Sequence, residues 1–153
     1  MKNNSFTVAV LGAGNIGSAV IERLLEVDNE VLNLNLAKVL VADLSKERDL
    51  DAGLLTTDFD EILNDENIDL VIEVLGGVEP GKGYIKGLLE SGKSVITANK
   101  DIVADCGSEL IQIAQKNNVC LYFEAAVAAG IPVLKPLIES LRGEELTRVA
   151  GII

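Results

Sequence analysis

The stretch VAVLGAGNIGSAV, from Val8 to Val20, changes character at its centre, where an aliphatic run gives way to three glycines and then to an amphipathic run. Gly12, Gly14 and Gly17 have the spacing GxGxxG. In this pattern the first glycine permits a tight turn, the second lets the backbone approach a pyrophosphate, and the third lets a helix pack close to a sheet. The helix N-terminus would face the phosphates with unpaired N–H groups. The spacing predicts a dinucleotide-binding turn, with a purely structural turn as the alternative.

Aliphatic runs alternate with amphipathic stretches along the chain, as expected when parallel strands are joined by crossover helices. We predict a single domain, residues 1–153, with an α/β, Rossmann-type doubly wound fold: a mostly parallel sheet with helices on both faces. The predicted strands are Thr7–Leu11, Val39–Ala42, Leu70–Val74, Ser94–Thr97, Val119–Phe123 and Thr147–Ile153. The predicted helices are Ile16–Val27, Phe59–Asn64, Gly83–Ser91, Ile102–Asn117 and Pro132–Leu141. The stretch from Asp28 to Leu36 is ambiguous between helix and loop. Because the chain stops inside a predicted strand, we expect a fragment of a longer protein.

Composition narrows the classes of function. The net charge of −11 and the lack of a basic stripe argue against nucleic acid or an anionic membrane as a partner. Two cysteines without CxxC spacing, and no histidine, indicate neither a zinc site nor a disulfide framework. No apolar run approaches the roughly 18 residues of a membrane span, and the first strand pattern begins where a signal peptide would lie. We expect a cytoplasmic protein that acts on small molecules.

An acidic residue follows the second predicted strand. In VLVADLSK, Asp43 stands where a carboxylate would accept hydrogen bonds from the adenosine ribose, although a few residues farther from Gly17 than the usual ~20. The same carboxylate would repel a 2′-phosphate, which favours NAD over NADP. Lys46 and Arg48 keep the NADP alternative open, since either could pair with a phosphate. Asp43 could instead simply cap the polar turn that follows.

A lysine stands where the fourth predicted strand ends, in VITANKDIVADCG from Val95 to Gly107. At the ligand-binding edge of a parallel sheet, the Lys100 ammonium could donate hydrogen bonds to a ribose or carbonyl oxygen and stabilise a developing alkoxide. The alternative is a surface lysine that opens the next helix and extends into water. We favour the first interpretation because a lysine at a helix N-terminus is electrostatically disfavoured.

Two other strand ends carry small or acidic residues. In EVLGGVEP, Gly76 and Gly77 could bring the backbone close to a ligand or simply form a turn, and Glu73 is a candidate buried acid with no partner evident from the sequence. In FEAAVAAGIP, small residues follow Glu124. Their carbonyls are the hard oxygen ligands that a cation such as Na⁺ accepts, although a close-packed turn is the alternative.

Three segments together resemble the amino-terminal nucleotide-binding part of homoserine dehydrogenase. They are VLGAGNIGSAV, VIEVLGGVEPGKGYIKGLLESGKSVITANKDIVADCGSEL and LYFEAAVAAGIPVLKPLIESLRGEELTRVAGII. The resemblance covers nearly the whole chain, and TANK, FEAAVAAGIP and RVAGI are more specific than the glycine turn. In that family the last strand continues into an Asn-Gly-Thr-Thr-Asn segment and a substrate domain. The resemblance therefore implies that the substrate domain is absent from this chain.

The resemblance also implies residue roles. A nicotinamide cofactor would contact, through its pyrophosphate, the turn residues Gly12, Ala13, Gly14, Asn15, Ile16 and Gly17. Its nicotinamide-ribose side would be lined by Thr97, Asn99 and Lys100, and Lys100 is the candidate catalytic residue. A sodium-type ion near a domain junction would bind carbonyls of Glu124, Val127, Ala129 and Ile131. The family often has an arginine for the 2′-phosphate where this chain has Ala42, which again favours NAD.

The activity that the resemblance implies is reversible hydride transfer between the nicotinamide ring and L-aspartate 4-semialdehyde, which gives L-homoserine in amino-acid biosynthesis towards threonine and methionine. The family's substrate-binding acids and proton-transferring lysine belong to the missing domain, so we expect this fragment to bind cofactor without turnover. We expect the full-length protein to be a homo-oligomer. The alternatives are a non-catalytic NAD(H)-sensing module, which would need neither TANK nor FEAAVAAG, and another small-metabolite NAD(P) reductase.

Overall fold

The computed structural model describes residues 5–26, 33–140, 142–143 and 147–148, in which strands and helices alternate. The strands are β1 (Ser5–Leu11), β2 (Asn33–Leu40), β3 (Leu55–Thr56), β4 (Leu70–Glu73), β5 (Ser94–Thr97) and β6 (Leu121–Tyr122). The helices are α1 (Asn15–Glu26), α2 (Asp60–Leu63), α3 (Gly81–Glu90), α4 (Lys100–Lys116) and α5 (Leu134–Ser140), with short 3₁₀ turns at Ala52–Leu54 and Glu124–Ala126. None of the helices within these ranges has both the length and the apolar character needed to cross a membrane.

The strands form one sheet in the order β3-β2-β1-β4-β5-β6, and every described pair of neighbours is parallel. The chain winds outward from β1 to β3 and then returns to the other side of β1 with β4. This is the order of the dinucleotide-binding doubly wound fold, and ligands bind where the direction reverses, outside the carboxyl ends of β1 and β4. The predicted fold class is confirmed.

Side chains on the two faces of the sheet form separate cores. On β1, Ala9 and Leu11 pack into the core that includes Leu88 of α3 and Leu110 of α4, whereas Val10 between them packs with α1 on the opposite face. Alternation of this kind requires a strand that is apolar on both faces, because helices cover both. Burying one such leucine contributes about 1.5–3 kcal/mol. The two cores confirm the prediction of helices on both faces.

The second strand differs from its prediction. It runs from Asn33 to Leu40 and not from Val39 to Ala42, and it pairs with β1 from end to end except at Ala37, where the register shifts. Within the ambiguous stretch, residues 33–36 are therefore strand, so both the helix and the loop interpretations are wrong there; residues 28–32 lie outside the described residues. The alternation of NLNL indicates a half-exposed strand, and this signal was available in the sequence.

The remaining differences concern short elements and the ends of longer ones. The two-residue strand β3 was not predicted, and β6 is shorter than its prediction at both ends. Of the predicted strand Thr147–Ile153, residues 149–153 lie outside the described residues, and Thr147 and Arg148 are not in a strand. Helix α4 begins two residues earlier than predicted, at Lys100, so this lysine belongs to the first turn of a helix.

Candidate functional site

The glycine turn between β1 and α1 has the geometry that its spacing predicts. Gly12 has a φ of +106°, in the left-handed region that favours glycine. A Cβ on Gly17 would lie 2.1 Å from the carbonyl oxygen of Gly12, so only glycine lets α1 start this close to the turn. A Cβ on Gly14 would meet no atom within 4 Å. The turn and packing roles are confirmed, and the approach of a ligand at Gly14 stays a prediction.

The turn is seated on the ends of both neighbouring strands. The N–H of Gly12 donates to the carbonyl of Leu40 at 2.9 Å on one side, and the N–H of Val74 donates to the carbonyl of Leu11 at 3.0 Å on the other. The first N–H groups of a helix have no partner within it, and they carry the positive end of its dipole. The start of α1 therefore presents donors suited to an anion at the point where the strand order reverses.

Asp43 caps the turn that follows β2. Its carboxylate oxygen Oδ1 accepts hydrogen bonds from the hydroxyl of Ser45 at 2.7 Å and from the N–H of Ser45 at 2.8 Å. These two bonds, the side-chain bond first, lower the pKa of Asp43 below its ordinary value. Asp43 therefore caps this turn, which does not decide between a capping role alone and a further ribose role. The carboxylate is exposed and its second oxygen takes no part in these bonds, so the ribose role stays a prediction.

Arg48 is folded onto the backbone of the same loop. Its Nη1 donates to the carbonyls of Asp43 at 2.8 Å and Lys46 at 3.0 Å. A cleft of about 610 Å³ lies between this loop and α1. Its walls include Ala13, Gly14, Asn15, Ser18, Glu22, Lys46, Glu47, Arg48 and Asp49. To pair with a 2′-phosphate through Nη1, Arg48 would have to give up two backbone hydrogen bonds.

The structure supplies the partners of Glu73, which is completely buried at the end of β4. Its carboxyl group accepts hydrogen bonds from the hydroxyl of Thr97 and, at 2.8 Å, from the N–H of Leu75. Thr97 also accepts a hydrogen bond from the N–H of Asn99 at 3.0 Å. The sequence made Glu73 a candidate buried acid, but it did not show that Thr97 was its partner.

Asn99 joins the loop after β4 to the start of α4. Its amide nitrogen donates to the carbonyls of Gly77 at 2.6 Å and Leu75 at 3.2 Å. Its side-chain oxygen accepts from the N–H groups of Asp101 and Ile102, which makes Asn99 the N-cap of α4. The side chains of Thr97 and Asn99 lie at the predicted edge but are buried, and their contact with a cofactor stays a prediction.

Lys100 is the first residue of α4, and it is exposed. The described part of the chain contains no carboxylate within ion-pair distance of its ammonium. A cation at a helix N-terminus is disfavoured by about 0.3–1 kcal/mol. The position agrees with the alternative of a surface lysine that opens α4, and contact of Lys100 with a cofactor or substrate stays a prediction.

The FEAAVAAG segment forms a 3₁₀ turn followed by a second turn in which Ala128 and Ala129 have φ values of 56° and 51°. The carbonyl of Glu124 accepts from the N–H of Val127 at 3.0 Å, and the carbonyl of Ala128 accepts from the N–H of Ile131 at 3.1 Å. Among the described residues, no group of three or more His, Cys, Asp or Glu side chains could hold a metal ion. A cation here would depend on backbone carbonyls, and the predicted set Glu124, Val127, Ala129 and Ile131 stays a prediction.

The carboxylate of Glu124 ties this segment to α5. It accepts hydrogen bonds from the N–H groups of Val133, Leu134 and Lys135, at 2.5, 2.8 and 2.9 Å. Partial desolvation would raise the pKa of Glu124, but the three N–H donors outweigh it and lower the pKa below the ordinary value of 4.5.

We expect the start of α5 to lose its hydrogen-exchange protection in acid. Because the pKa of Glu124 is lower in the folded state, its contribution is complete above the unfolded-state pKa of 4.5 and is lost as the pH falls through the folded-state pKa. Protection factors of the amides of Leu134 and Lys135, followed from pH 6 downwards, measure this. Glu124→Gln should show lower, pH-independent protection, whereas the exposed Glu90→Gln should behave like the wild type. If the protection factors of the wild type did not change with pH, the role of Glu124 in capping α5 would be contradicted.

Comparison with known proteins identifies the family. Residues 12–124 match a family model described as homoserine dehydrogenase, NAD binding domain. Homoserine dehydrogenase of Mycobacterium tuberculosis strain H37Rv is 46% identical over 152 residues, which cover 95% of this chain and 34% of the relative. That of Bacillus subtilis strain 168 is 41% identical over 153 residues, which cover 95% of this chain and 35% of the relative. The chain spans about a third of the length of these curated relatives.

Solved structures agree with the family model. The homoserine dehydrogenase of Thiobacillus denitrificans superposes with a TM-score of 0.82 at 36% identity, over 92% of this chain and 34% of that chain. A hyperthermophilic archaeal homoserine dehydrogenase in complex with NADPH has a TM-score of 0.75 over 91% of this chain and 50% of that chain; at 24% identity, this likeness shows the fold alone. The family model covers most of the chain, including the glycine turn, the end of β4 and the TANK segment. This chain belongs to the homoserine dehydrogenase NAD-binding domain family.

Proposed function

We propose that residues 1–153 are the cofactor-binding domain of a homoserine dehydrogenase whose substrate domain lies outside this chain. The observation that carries the proposal is the glycine turn seated between the ends of β2 and β4, where the strand order reverses. The family match supports the interconversion of L-homoserine and L-aspartate 4-semialdehyde as the activity of the complete protein.

The residues of the turn fit a dinucleotide. The position next to Gly14 is open, so a pyrophosphate can approach the backbone there, and the N–H groups at the start of α1 can donate to it. A bound nicotinamide cofactor would supply the hydride-transfer chemistry, giving a hydride to the carbonyl carbon of the aldehyde in one direction and accepting it from the alcohol in the other. Lys100 would donate a hydrogen bond to a ribose or substrate oxygen and stabilise negative charge on it. The chain thereby orients the reacting groups.

We further propose NAD over NADP as the cofactor. The Asp43 carboxylate would accept hydrogen bonds from the ribose hydroxyls and repel a 2′-phosphate. One guanidinium nitrogen of Arg48, Nη1, is engaged by two loop carbonyls and would have to leave them to pair with such a phosphate. NADPH is the ligand of the archaeal relative, and its low identity gives no support for the same choice here.

Other parts of the proposal rest on the family. We propose that the full-length protein is a homo-oligomer, that it works in amino-acid biosynthesis towards threonine and methionine, and that a sodium-type ion binds near the FEAAVAAG turn. A cytoplasmic location fits the two free cysteines, Cys106 and Cys120, which a reducing compartment would maintain.

The direct test has two stages. Calorimetric titration of the chain with NAD⁺ and NADP⁺ should give a saturable site that prefers NAD⁺. The complete gene product should then reduce NAD⁺ when L-homoserine is added. Binding of NADH without homoserine oxidation would favour the NAD(H)-sensing alternative. Oxidation of a different small hydroxy compound would favour another reductase of this fold.

Replacing Lys100 with methionine is expected to weaken NAD⁺ binding about tenfold, the equivalent of one lost charge-assisted hydrogen bond. The free energy of unfolding should stay the same or rise by up to about 1 kcal/mol, because a cation leaves the positive end of α4. Calorimetry and denaturant unfolding measure the two quantities.

Lys116→Met is the matched control, since Lys116 is exposed in the last turn of the same helix, where a cation is favourable. This variant should keep its NAD⁺ affinity, and its free energy of unfolding should fall by about 0.3 kcal/mol. Equal NAD⁺ affinity in wild type and Lys100→Met would contradict a role for Lys100 in cofactor binding.

A further inference from the structure

Glu73 is a completely buried acidic residue beneath the proposed cofactor edge, and the proposed hydride-transfer reaction does not use it. The described residues place no lysine or arginine nitrogen within 4.0 Å of its carboxyl group. Burial of a polar group without a cation is costly unless hydrogen bonds or dipoles compensate.

The two oxygens of Glu73 hold two different segments. Oε1 accepts from the N–H of Leu75 at 2.8 Å, which fixes the loop immediately after β4. Oε2 accepts from the hydroxyl of Thr97, the last residue of the neighbouring strand β5. Through one side chain, the end of β4 is thus connected to the segment that leads to Lys100.

A second layer of hydrogen bonds closes the connection. The hydroxyl of Thr97 accepts from the N–H of Asn99, and the amide of Asn99 donates back to the carbonyls of Leu75 and Gly77. Two sets of hydrogen bonds therefore join the loop after β4 to the loop before α4: one between Glu73 and Thr97, and one from the amide of Asn99 to the carbonyls of residues 75 and 77. Asn99 also caps α4, so the same side chain orients the helix that begins with Lys100.

The N-terminus of helix α3 also packs against the carboxyl group of Glu73. A Cβ on Gly81, the first residue of α3, would lie 3.3 Å from Oε1 of Glu73 and 2.8 Å from Cδ1 of Ile102. The absence of a side chain at Gly81 allows the N-terminus of α3, with the positive end of its dipole, to approach the buried acid. This close packing leaves the carboxyl group little freedom to turn away from its three donors, which are the N–H of Leu75, the hydroxyl of Thr97 and, at 3.4 Å, the side-chain amide of Asn99.

We propose that Glu73 is a positioning residue that locks the loops at residues 74–77 and 98–100 into one unit. The glycines at 76 and 77 and the ammonium of Lys100 then meet a nicotinamide dinucleotide at a fixed spacing. Glu73 acts through Thr97 and Asn99 and touches no ligand itself. The ligand part of this inference rests on the proposed function; the locking of the loops does not.

The test is hydrogen exchange of backbone amides in Thr97→Val, measured without nucleotide. Valine keeps the shape of threonine but removes the hydroxyl that restrains Glu73. If the loops form one unit, exchange at Leu75, on the other loop, should accelerate about tenfold, as expected when a net hydrogen bond of about 1.4 kcal/mol is lost from the locally closed state. Thr97→Ser, which retains the hydroxyl, should restore the slow exchange.

Thr56→Val is the matched control. Thr56 is also a buried threonine at a strand end, and its hydroxyl accepts from the N–H of Asp58 at 3.0 Å, at the far edge of the sheet. This variant should leave exchange at Leu75 unchanged. If Thr97→Val does not fold, Glu73→Gln replaces it, because the glutamine can still accept from Leu75 through its oxygen while its nitrogen cannot accept from Thr97.

Faster exchange at Asn99 with unchanged exchange at Leu75 would overturn the proposal, since the loops would then move independently. The NAD⁺ dissociation constant is the second readout: it should rise about tenfold in Thr97→Val and stay within about twofold of wild type in Thr56→Val. The proposal would also be overturned if exchange at Leu75 accelerated in Thr97→Val while the NAD⁺ dissociation constant stayed unchanged. Failure of the wild type to bind any nucleotide would contradict the proposed function, while the exchange data would still decide the role of Glu73.

Discussion

Gly17→Ala is expected to abolish measurable NAD⁺ binding and to lower the free energy of unfolding by about 2 kcal/mol, within the range known for overpacked sites. The added Cβ would lie 2.1 Å from the carbonyl oxygen of Gly12 and 2.8 Å from its carbonyl carbon. Both are backbone atoms of a turn that is hydrogen-bonded to β2, so they cannot move aside as a side chain would. Helix α1 would have to move away, taking with it the N–H groups that face the phosphates.

Gly14→Ala separates binding from stability. At Gly14 the added Cβ meets no atom within 4 Å, and the backbone does not require a positive φ. Stability should stay the same or rise by about 0.4–1 kcal/mol, because alanine restricts the unfolded chain. NAD⁺ affinity should nevertheless fall, since the open space is where we place the pyrophosphate.

Denaturant unfolding and calorimetric titration of both glycine variants measure these effects. If Gly17→Ala had wild-type stability, the turn would have to shift enough to accommodate the added Cβ, contrary to the close packing against the Gly12 carbonyl. Wild-type affinity in Gly14→Ala would place the pyrophosphate elsewhere.

Asp43→Ala is expected to change the preference for NAD⁺ over NADP⁺ by about 100-fold, through a loss of about tenfold for NAD⁺ and a comparable gain for NADP⁺. The loss reflects hydrogen bonds from the ribose hydroxyls to a carboxylate. The gain reflects the removal of a negative charge that would face the 2′-phosphate. Titrations with both nucleotides at one fixed ionic strength give the ratio.

Ser45→Ala is the control for a change in the turn itself. It removes the 2.7 Å bond between the Ser45 hydroxyl and Asp43 but keeps the carboxylate and the bond from the Ser45 N–H. The ratio of the two affinities should stay within about twofold of wild type, because the charge is retained. If Ser45→Ala shifts the preference as much as Asp43→Ala, Asp43 acts through the turn and not through the ribose.

The elements that the sequence predicted well are those in which an aliphatic run or a helical period spans the whole element. Helix α1 and strands β4 and β5 lie within one residue of their predicted ends at each boundary. Strand β3 was missed because Leu55 and Thr56 are too few to show a period; they are a strand only because the edge of β2 offers partners, with Val39 opposite Leu55. A strand of that length is determined by its neighbour.

The candidate site divides in the same way. The glycine turn was recognisable because Gly12 and Gly17 each answer a local requirement, and Lys100 became a candidate because it follows a strand end. The Glu73–Thr97–Asn99 network was not. Glu73 ends β4, Thr97 ends β5 and Asn99 caps α4, and the hydrogen bonds that join them depend on the register of β4 with β5, in which Glu73 lies opposite Thr97. Sequence spacing carries no information on that register.

The sequence by itself determined the class of fold, the order of its main elements, and the edge of the sheet at which a dinucleotide would bind. These features follow from periodicity and from the backbone freedom of glycine, which are local properties. Only the tertiary structure decided that the Asp43 carboxylate caps its own turn, that Arg48 is held on loop carbonyls, and that Glu73 joins two loops. These contacts connect residues whose approach depends on strand pairing and loop folding, and their free energies are available only after the sheet has brought the partners together.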